Sequence, residues 1–438
     1  MNTLPSLPAG MQAPTPEEIR STRRELPPEL ISETPLVLSA RLSGSAGSPV
    51  YIKDEGQQKV RSYKGRGSAA KMLALSQEER ARGVVCASAG NHAQGVASAC
   101  NYFHARGTIF MPTITPPQKI DATQRHGNGF VDIVLHGDKY DEAAQQAHTF
   151  AEERDAAFLH PFDDWDVIRG QGTVGAEIAE QVNALREDLR AVLVPVGGGG
   201  LMAGTILALE HSHPRTQVIG VEPAGAACMT ESLKAGHPIT LGNVDTFVDG
   251  AAVARPGEKP FSVVSRAVRD GRARLMTVSN GLLAVTMVDL YQIDGKITEP
   301  AGALSIAALE QVKGEIEGTK VCILSGTNFD MNRNQSVLEH AKLHRRTKAY
   351  LGIHLPNRPQ ALRQMLNDLG GVLEAVNITY THFDAAQSNG DPSLILGLES
   401  KKGNSKDIDI LLQTLTSLCH EGQNPRYSFH VLSGKPDL

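Results

Sequence analysis

The sequence predicts an α/β protein with a separate, smaller domain behind it, and three observations carry that reading. From residue 50 to about residue 330, short and continuously apolar runs alternate with helical runs. Apolar continuity marks strands buried on both faces, as in a parallel sheet sheathed by helices. From residue 348 the order becomes strand, helix, strand, strand, helix, strand, the βαββαβ layout of a small sheet with helices on one face. Residues 1–14 are therefore read as a loose arm, 15–330 as the main domain, 331–347 as a linker and 348–438 as a second domain.

In chain order, the arm lacks apolar periodicity. Structure begins at Thr15-Pro16-Glu17-Glu18, a hydroxyl cap followed by proline in the first turn. Val50-Tyr51-Ile52-Lys53 is a short strand, and a helix is expected over 68–75. Val84-Val85-Cys86-Ala87 is a strand that gives way to Ser88-Ala89-Gly90-Asn91-His92-Ala93-Gln94-Gly95 and an alanine-rich helix. Strands are expected again at 108–111, at 132–135 before a helix over 141–154, and at 191–196, 218–222 and 320–324. Residues 331–347 read as a polar helix or linker. His340 and His344 share a helix face there, but no acidic residue lies between them as in a metalloprotease, so a solvated face is the simpler reading. In the second domain, strands at 349–355, 377–383, 393–399 and 427–432 frame helices at 358–369 and 407–420.

Composition narrows the partners. A net charge of -5 from 43 basic and 48 acidic side chains, without long single-sign blocks, gives no electrostatic footprint for nucleic acid or an anionic membrane. The five cysteines are odd in number and show no C-x-x-C spacing, which fits a reducing cytoplasm better than disulfides or a cysteine metal site. No export signal and no apolar run of membrane-spanning length is read.

Four stretches carry chemistry. Lys64 lies in Arg61-Ser62-Tyr63-Lys64-Gly65-Arg66-Gly67-Ser68. An amine attacks a carbonyl only when its pKa falls or it is already an imine, and flanking Arg61 and Arg66 disfavour its protonated form. Alone, the stretch reads more simply as a helix-start lysine facing water. Gly197, Gly198, Gly199 and Gly200 stand between a buried strand and a small-residue helix. Their amides converge unobstructed and the helix N-terminus adds positive potential, which suits a phosphate better than a bare turn does. No Lys-Ser/Thr follows and the spacing is not G-x-G-x-x-G, so neither a nucleoside triphosphate nor a dinucleotide fits as well. Ser88 and its loop amides suit a carboxylate and the Asn91 amide a phenolate-type oxygen, with a capping turn as the alternative. Ser325-Gly326-Thr327-Asn328 closes the last strand, at the carboxyl edge where ligands collect. Taken together, an amine, an anion cradle, an amide and a hydroxyl describe a site for pyridoxal 5′-phosphate.

In their order these stretches resemble the fold-type II pyridoxal-phosphate enzymes, the tryptophan synthase β-like family, and most closely its threonine dehydratases (threonine ammonia-lyases), over about residues 15–435. The resemblance implies that Lys64 holds the cofactor covalently and acts as catalytic base, and that Asn91 meets its 3′-oxygen. Gly197, Gly198, Gly199, Gly200 and Leu201 would bind its phosphate and Ser325 would face its pyridine nitrogen. Ser88, Ala89, Gly90, Asn91 and His92 would grip the substrate carboxylate. A serine at that nitrogen leaves it largely unprotonated, which favours β-elimination. The implied reaction converts L-threonine, with L-serine possible, to a 2-oxo acid and ammonia. Ala89 stands where related serine racemases carry an acid/base serine, which also favours elimination. Some relatives hold a cation between a glutamate and an aspartate six residues later. Here Glu222 is followed at that spacing by Cys228, so no metal is expected. Thr298-Glu299-Pro300-Ala301-Gly302-Ala303 matches the family too, with Glu299 read as a residue that stabilises the fold near the cofactor.

The second domain resembles the ACT-like domain of biosynthetic threonine dehydratases. The matching stretches are Pro356-Asn357-Arg358-Pro359-Gln360-Ala361-Leu362, Asn377-Ile378-Thr379 and Asn424-Pro425-Arg426-Tyr427, with Gln360 where a glycine is usual. One copy fits. The resemblance implies isoleucine as an allosteric effector, a place at the first committed step of isoleucine synthesis, and a homotetramer. The alternatives are a catabolic serine/threonine dehydratase, threonine synthase, and a non-catalytic amino-acid sensor on the same scaffold. No second basic cluster for a phosphorylated substrate is seen, and a sensor would have no reason to keep Lys64.

Overall fold

The computed structural model describes residues 12–355, 360–383, 394–420 and 428–432. Most of the arm, the stretch Pro356-Asn357-Arg358-Pro359 and the stretch Asn424-Pro425-Arg426-Tyr427 lie outside the described residues. Two compact units meet in sequence between Asp330 and Met331.

The first unit begins with the helix Pro16–Glu25, whose cap is reciprocal: the Thr15 hydroxyl accepts from the Glu18 amide while the Glu18 carboxylate accepts from the Thr15 amide. Such a box satisfies two otherwise orphaned donors and is worth about 1 kcal/mol. Ten strands follow: β1 (Leu36–Leu38), β2 (Val50–Asp54), β3 (Val84–Ala87), β4 (Gly107–Met111), β5 (Val131–Leu135), β6 (Ala157–Phe158), β7 (Leu189–Pro195), β8 (Gln217–Pro223), β9 (Ala273–Val278) and β10 (Thr319–Leu324).

These strands form two sheets rather than one continuous series. The larger has the order β1-β2-β10-β7-β8-β9, parallel except for the edge pair of β1 and β2. The smaller, parallel throughout, has the order β5-β4-β3-β6 and is built from the chain between β2 and β7. Sequence alternation alone cannot show that division, because both sheets use the same strand-helix grammar. Every residue of β2, β3 and β10 is buried, as continuous apolar runs require of strands covered on both sides. The long helix Trp165–Leu185 packs against both Lys64–Ala74 and Gly200–Leu209.

The topology gathers the four stretches. Lys64 follows β2, Ser88 follows β3, Gly197 follows β7 and Ser325 follows β10, so each sits beyond the carboxyl end of a parallel strand, the edge where open α/β sheets bind ligands.

The second unit contains the helix Asn334–His344 and an antiparallel sheet of β11 (Lys348–His354), β12 (Val376–Phe383), β13 (Leu394–Ser400) and β14 (Ser428–Leu432), in the order β12-β13-β11-β14. With the helices Ala361–Asp368 and Ser405–His420 it has the βαββαβ arrangement of an ACT-like domain. Ala349, Leu351 and Ile353 face a core with Met365, Leu411 and Leu415. On the opposite face of β11, Glu339 of the helix Asn334–His344 accepts from Lys348 Nζ at 2.8 Å and Tyr350 Oη at 2.7 Å. That face is therefore not left bare, as a layout with helices on one side only would have it.

Candidate active site

Lys64 is the first residue of the helix Lys64–Ala74, four residues earlier than the sequence pattern suggests. The reason is that Gly65 and Gly67, poor helix formers by propensity, are buried in tight packing that overrides it. Lys64 Nζ donates to the carbonyl of Pro161 at 3.0 Å. Burial pushes the amine down to about 8, with the Glu299 carboxylate pulling the other way. The sequence reading credited Arg61 and Arg66 with that depression, and the structure corrects it. Arg61 is exposed, and the fully buried Arg66 runs away from the amine, to Glu55, Thr173 and Glu177.

The residues around Lys64 tie it to the other stretches. The Tyr63 amide donates to the Ser325 carbonyl at 3.1 Å, and the Thr327 amide to the Arg61 carbonyl at 2.9 Å. Ser62 bridges Gly326 between them, with its buried hydroxyl unpartnered among the described residues. Ser325 Oγ donates to the Ala301 carbonyl at 3.2 Å. Asn328 reaches across to Asn91 at 2.8 Å, and Asn91 Nδ2 donates to Glu299 at 2.6 Å. Burial, with Asp249 nearby, pushes the Glu299 carboxyl up to about 7.

Pro161 and Phe162 complete the circuit. Pro161 receives the Lys64 amine, and the Phe162 ring and backbone lie against Gly198 and Gly200. A Cβ on Gly198 would overlap that ring, and Gly199 has a φ of 92°, a left-handed conformation that favours glycine. The carbonyls of Gly197 and Gly198 are taken by Cys228 Sγ at 3.6 Å and the Gly257 amide at 3.1 Å. Among the described residues no acceptor takes the amides of Gly197, Gly198, Gly199, Gly200 or Leu201. Five unclaimed amides at the start of the helix Gly200–Leu209 make a fitting cradle for a phosphate. The residues present therefore fit pyridoxal 5′-phosphate.

In the loop after β3, the Gly90 amide donates to Ser88 Oγ at 3.2 Å. His92 behaves differently from its neighbours. Its ring is buried with Nε2 on the Leu159 carbonyl at 2.9 Å, and burial, assisted by the Lys64 charge, pushes it down to about 3. A neutral, inward-facing imidazole leaves backbone amides, Ser88 and the Asn91 side chain as this loop's polar surface. Glu222, considered above for a cation, instead accepts from the Met229 amide at 2.7 Å and from Thr230 N and Oγ1 at 2.9 and 2.5 Å. It serves there as a cap for the helix Cys228–Ala235.

Sequence reasoning missed Pro161 and Phe162, which sit in a short loop after β6 with no distinctive pattern. Asn328 stands in the Ser325-Gly326-Thr327-Asn328 stretch, but its reach to Asn91 is not legible there. No local signal announces a contact 237 positions away.

The comparisons with known proteins agree with this geometry. Residues 28–326 match the family described as pyridoxal-phosphate dependent enzyme. The biosynthetic L-threonine dehydratase of Corynebacterium glutamicum is 44% identical over 342 residues, 78% of each chain. That of Bacillus subtilis is 39% identical over 388 residues, covering 88% of this chain and 89% of the relative. Among solved structures, the processed form of threonine deaminase isoform 2 from Solanum lycopersicum superposes with a TM-score of 0.69 at 39% identity, over 77% of this chain and 99% of its own. A family match over residues 28–326, which include Lys64, Ser88, Gly197 and Ser325, joined by relatives of this identity that extend into the second unit, settles the affiliation: the chain belongs to the pyridoxal-phosphate dependent enzymes, and within them to the biosynthetic threonine dehydratases.

Proposed function

We propose that this chain dehydrates and deaminates L-threonine to 2-oxobutanoate and ammonia, the first committed step of isoleucine synthesis, with Lys64 as its catalytic residue. The observation that carries the reading is a half-buried lysine amine, pushed down to about 8, linked through Pro161 and Phe162 to a cradle of unclaimed glycine amides. The names of the relatives supply the substrate.

The amides of Gly197, Gly198, Gly199, Gly200 and Leu201 would hold the cofactor phosphate, Asn91 its ring oxygen and Ser325 its ring nitrogen. The hydroxyl of Ser325 now donates to Ala301, so serving the nitrogen means a rotation of its O–H, which a hydroxyl makes freely. When bound, the cofactor supplies an electron sink that acidifies the substrate Cα–H. Ser88, Ala89, Gly90, Asn91 and His92 present their loop to the substrate carboxylate and orient that Cα–H toward Lys64. Lys64 Nζ takes the proton, a role that suits an amine whose pKa lies near neutrality. Glu299, buried close by, offsets part of the charge Lys64 then acquires.

The second unit would bind isoleucine and inhibit the first in a cytoplasmic homotetramer. Its ACT-like arrangement supports that reading, and inhibition requires isoleucine to favour one of two states of the chain. No helix among the described residues is long and apolar enough to cross a membrane.

The test is 2-oxobutanoate formation from L-threonine by the purified, cofactor-loaded chain, with and without isoleucine. Turnover suppressed by isoleucine supports both halves. Turnover without suppression overturns the regulatory half, and no turnover from threonine overturns the whole reading.

A further inference from the structure

Three side chains behind the site form a chain of hydrogen bonds whose direction is fixed at one end. Asn328 Nδ2 donates to the carbonyl of Val60 and to Oδ1 of Asn91, each at 2.8 Å. A backbone carbonyl only accepts, so the nitrogen of the Asn328 amide must lie on that side. That nitrogen also faces Asn91, which must therefore turn its own oxygen toward Asn328. Asn91 Nδ2 is then left to donate to Glu299 Oε1 at 2.6 Å. A carboxamide nitrogen carries two hydrogens, and Glu299 takes one.

The two ends of an asparagine amide are nearly the same size, so shape alone does not decide which end faces a ligand. The phenolic oxygen of a bound pyridoxal 5′-phosphate accepts hydrogen bonds when ionised. An N–H there is attractive and a carbonyl oxygen repulsive. We propose that Asn328 and Glu299 are positioning residues that fix the facing of the Asn91 amide, so that its second N–H is offered to the cofactor's ring oxygen. This rests on the reading of Asn91 as the partner of that oxygen. It assigns work to two residues that the sequence motifs left as a structural glutamate and an unassigned asparagine.

Glu299 is well placed to accept from either protonation state. It is 7% exposed and is the N-cap residue of the helix Pro300–Ala307, but its side chain makes no capping hydrogen bond. Asn91, Asp249, Lys119 and Lys64 are the groups that bear on it. A protonated carboxyl keeps a carbonyl oxygen, so the direction of the chain survives its titration.

The test uses the cofactor-loaded full chain and reads the position of the cofactor's visible absorption band and the rate at which cofactor is lost on dilution. Asn328→Asp replaces a donor to both Val60 and Asn91 with an acceptor. It is expected to turn the Asn91 amide round, move the band and speed cofactor loss about tenfold or more, as Asn91→Ala should. Glu299→Ala should change both readouts in the same direction, and Glu299→Gln should restore them, because its amide oxygen still accepts from Asn91. If Asn91→Ala changes both readouts while Asn328→Asp and Glu299→Ala keep wild-type values, the positioning role is overturned and the reading of Asn91 stands. If Asn91→Ala itself changes neither, the reading of Asn91 falls and the positioning role with it. Should Asn328→Asp not fold, the Glu299 pair decides alone, since Ala behaving like Gln overturns the proposal.

Discussion

Lys64 and Arg66 stand two residues apart on one helix and end in opposite surroundings. Lys64 Nζ meets the Pro161 carbonyl at 3.0 Å, whereas Arg66, fully buried, donates to Glu55 at 2.7 Å and to Glu177 at 2.6 Å. Residues i and i+2 lie about 200° apart around a helix, so a basic pair that looks like one cluster in sequence is two separate devices. One amine is exposed to chemistry, and one guanidinium pins the far side of the helix that carries it.

Lys64→Ala therefore removes the amine without disturbing the anchor. With Lys64 proposed as both the attachment point and the base, threonine turnover should fall about 10³-fold or more. The visible absorption of the covalently held cofactor should vanish with it, while the melting temperature of the cofactor-free protein stays within a few degrees. Continued formation of 2-oxobutanoate would overturn the assignment of Lys64.

Arg66→Lys tests the other side. Lys53 shares Glu177 with Arg66, bonding it at 2.6 Å, and Arg23 approaches the same carboxylate at 3.7 Å, so three cations and two carboxylates meet in a largely buried site. A lysine cannot span both Glu55 and Glu177 as the planar guanidinium fork does. One carboxylate would be left buried and short of a partner, at a cost of about 3 kcal/mol. Urea unfolding reads this directly, and a loss below about 1 kcal/mol would mean that the neighbouring groups rearrange to cover the gap.

How much of this was legible beforehand follows from the range of each interaction. Thr15 with Glu18, the buried strands and the four loops are local patterns, and each is present in the fold. The split into two sheets, Pro161 beside Lys64, and Asn328 beside Asn91 are contacts between distant segments, which no window of sequence contains. Gln360 lies between these cases. Its place in a stretch that usually carries glycine was read from the sequence, and its φ of 70° shows why glycine is usual there.

Gly198 gives a steric prediction. An added methyl would overlap the Phe162 ring, so in Gly198→Ala either the ring swings away or the cradle opens. Either change should weaken cofactor binding by about 1 to 3 kcal/mol, and adding Phe162→Ala should recover part of the loss. Equal affinities for Gly198→Ala and wild type would show that the ring has room to move. Purely additive effects in the double variant would separate the two residues.

Glu222 offers a pH dependence whose sign can be fixed. Burial outweighs its three hydrogen bonds and pushes the carboxyl up from 4.5 to about 7. Between those two values the folded chain holds a proton that the unfolded chain has released, so stability falls as pH rises through that window. The full effect of one such group is about 3 kcal/mol. Glu222→Gln cannot titrate, so its stability should fall less steeply between pH 4.5 and 7. Groups that do not sense the charge of Glu222, Glu299 among them, contribute equally to both proteins and cancel in the difference. Urea unfolding of both chains at pH 5 and pH 7.5 measures that difference. Parallel profiles would mean that the donors on Met229 and Thr230, rather than burial, set the charge of Glu222.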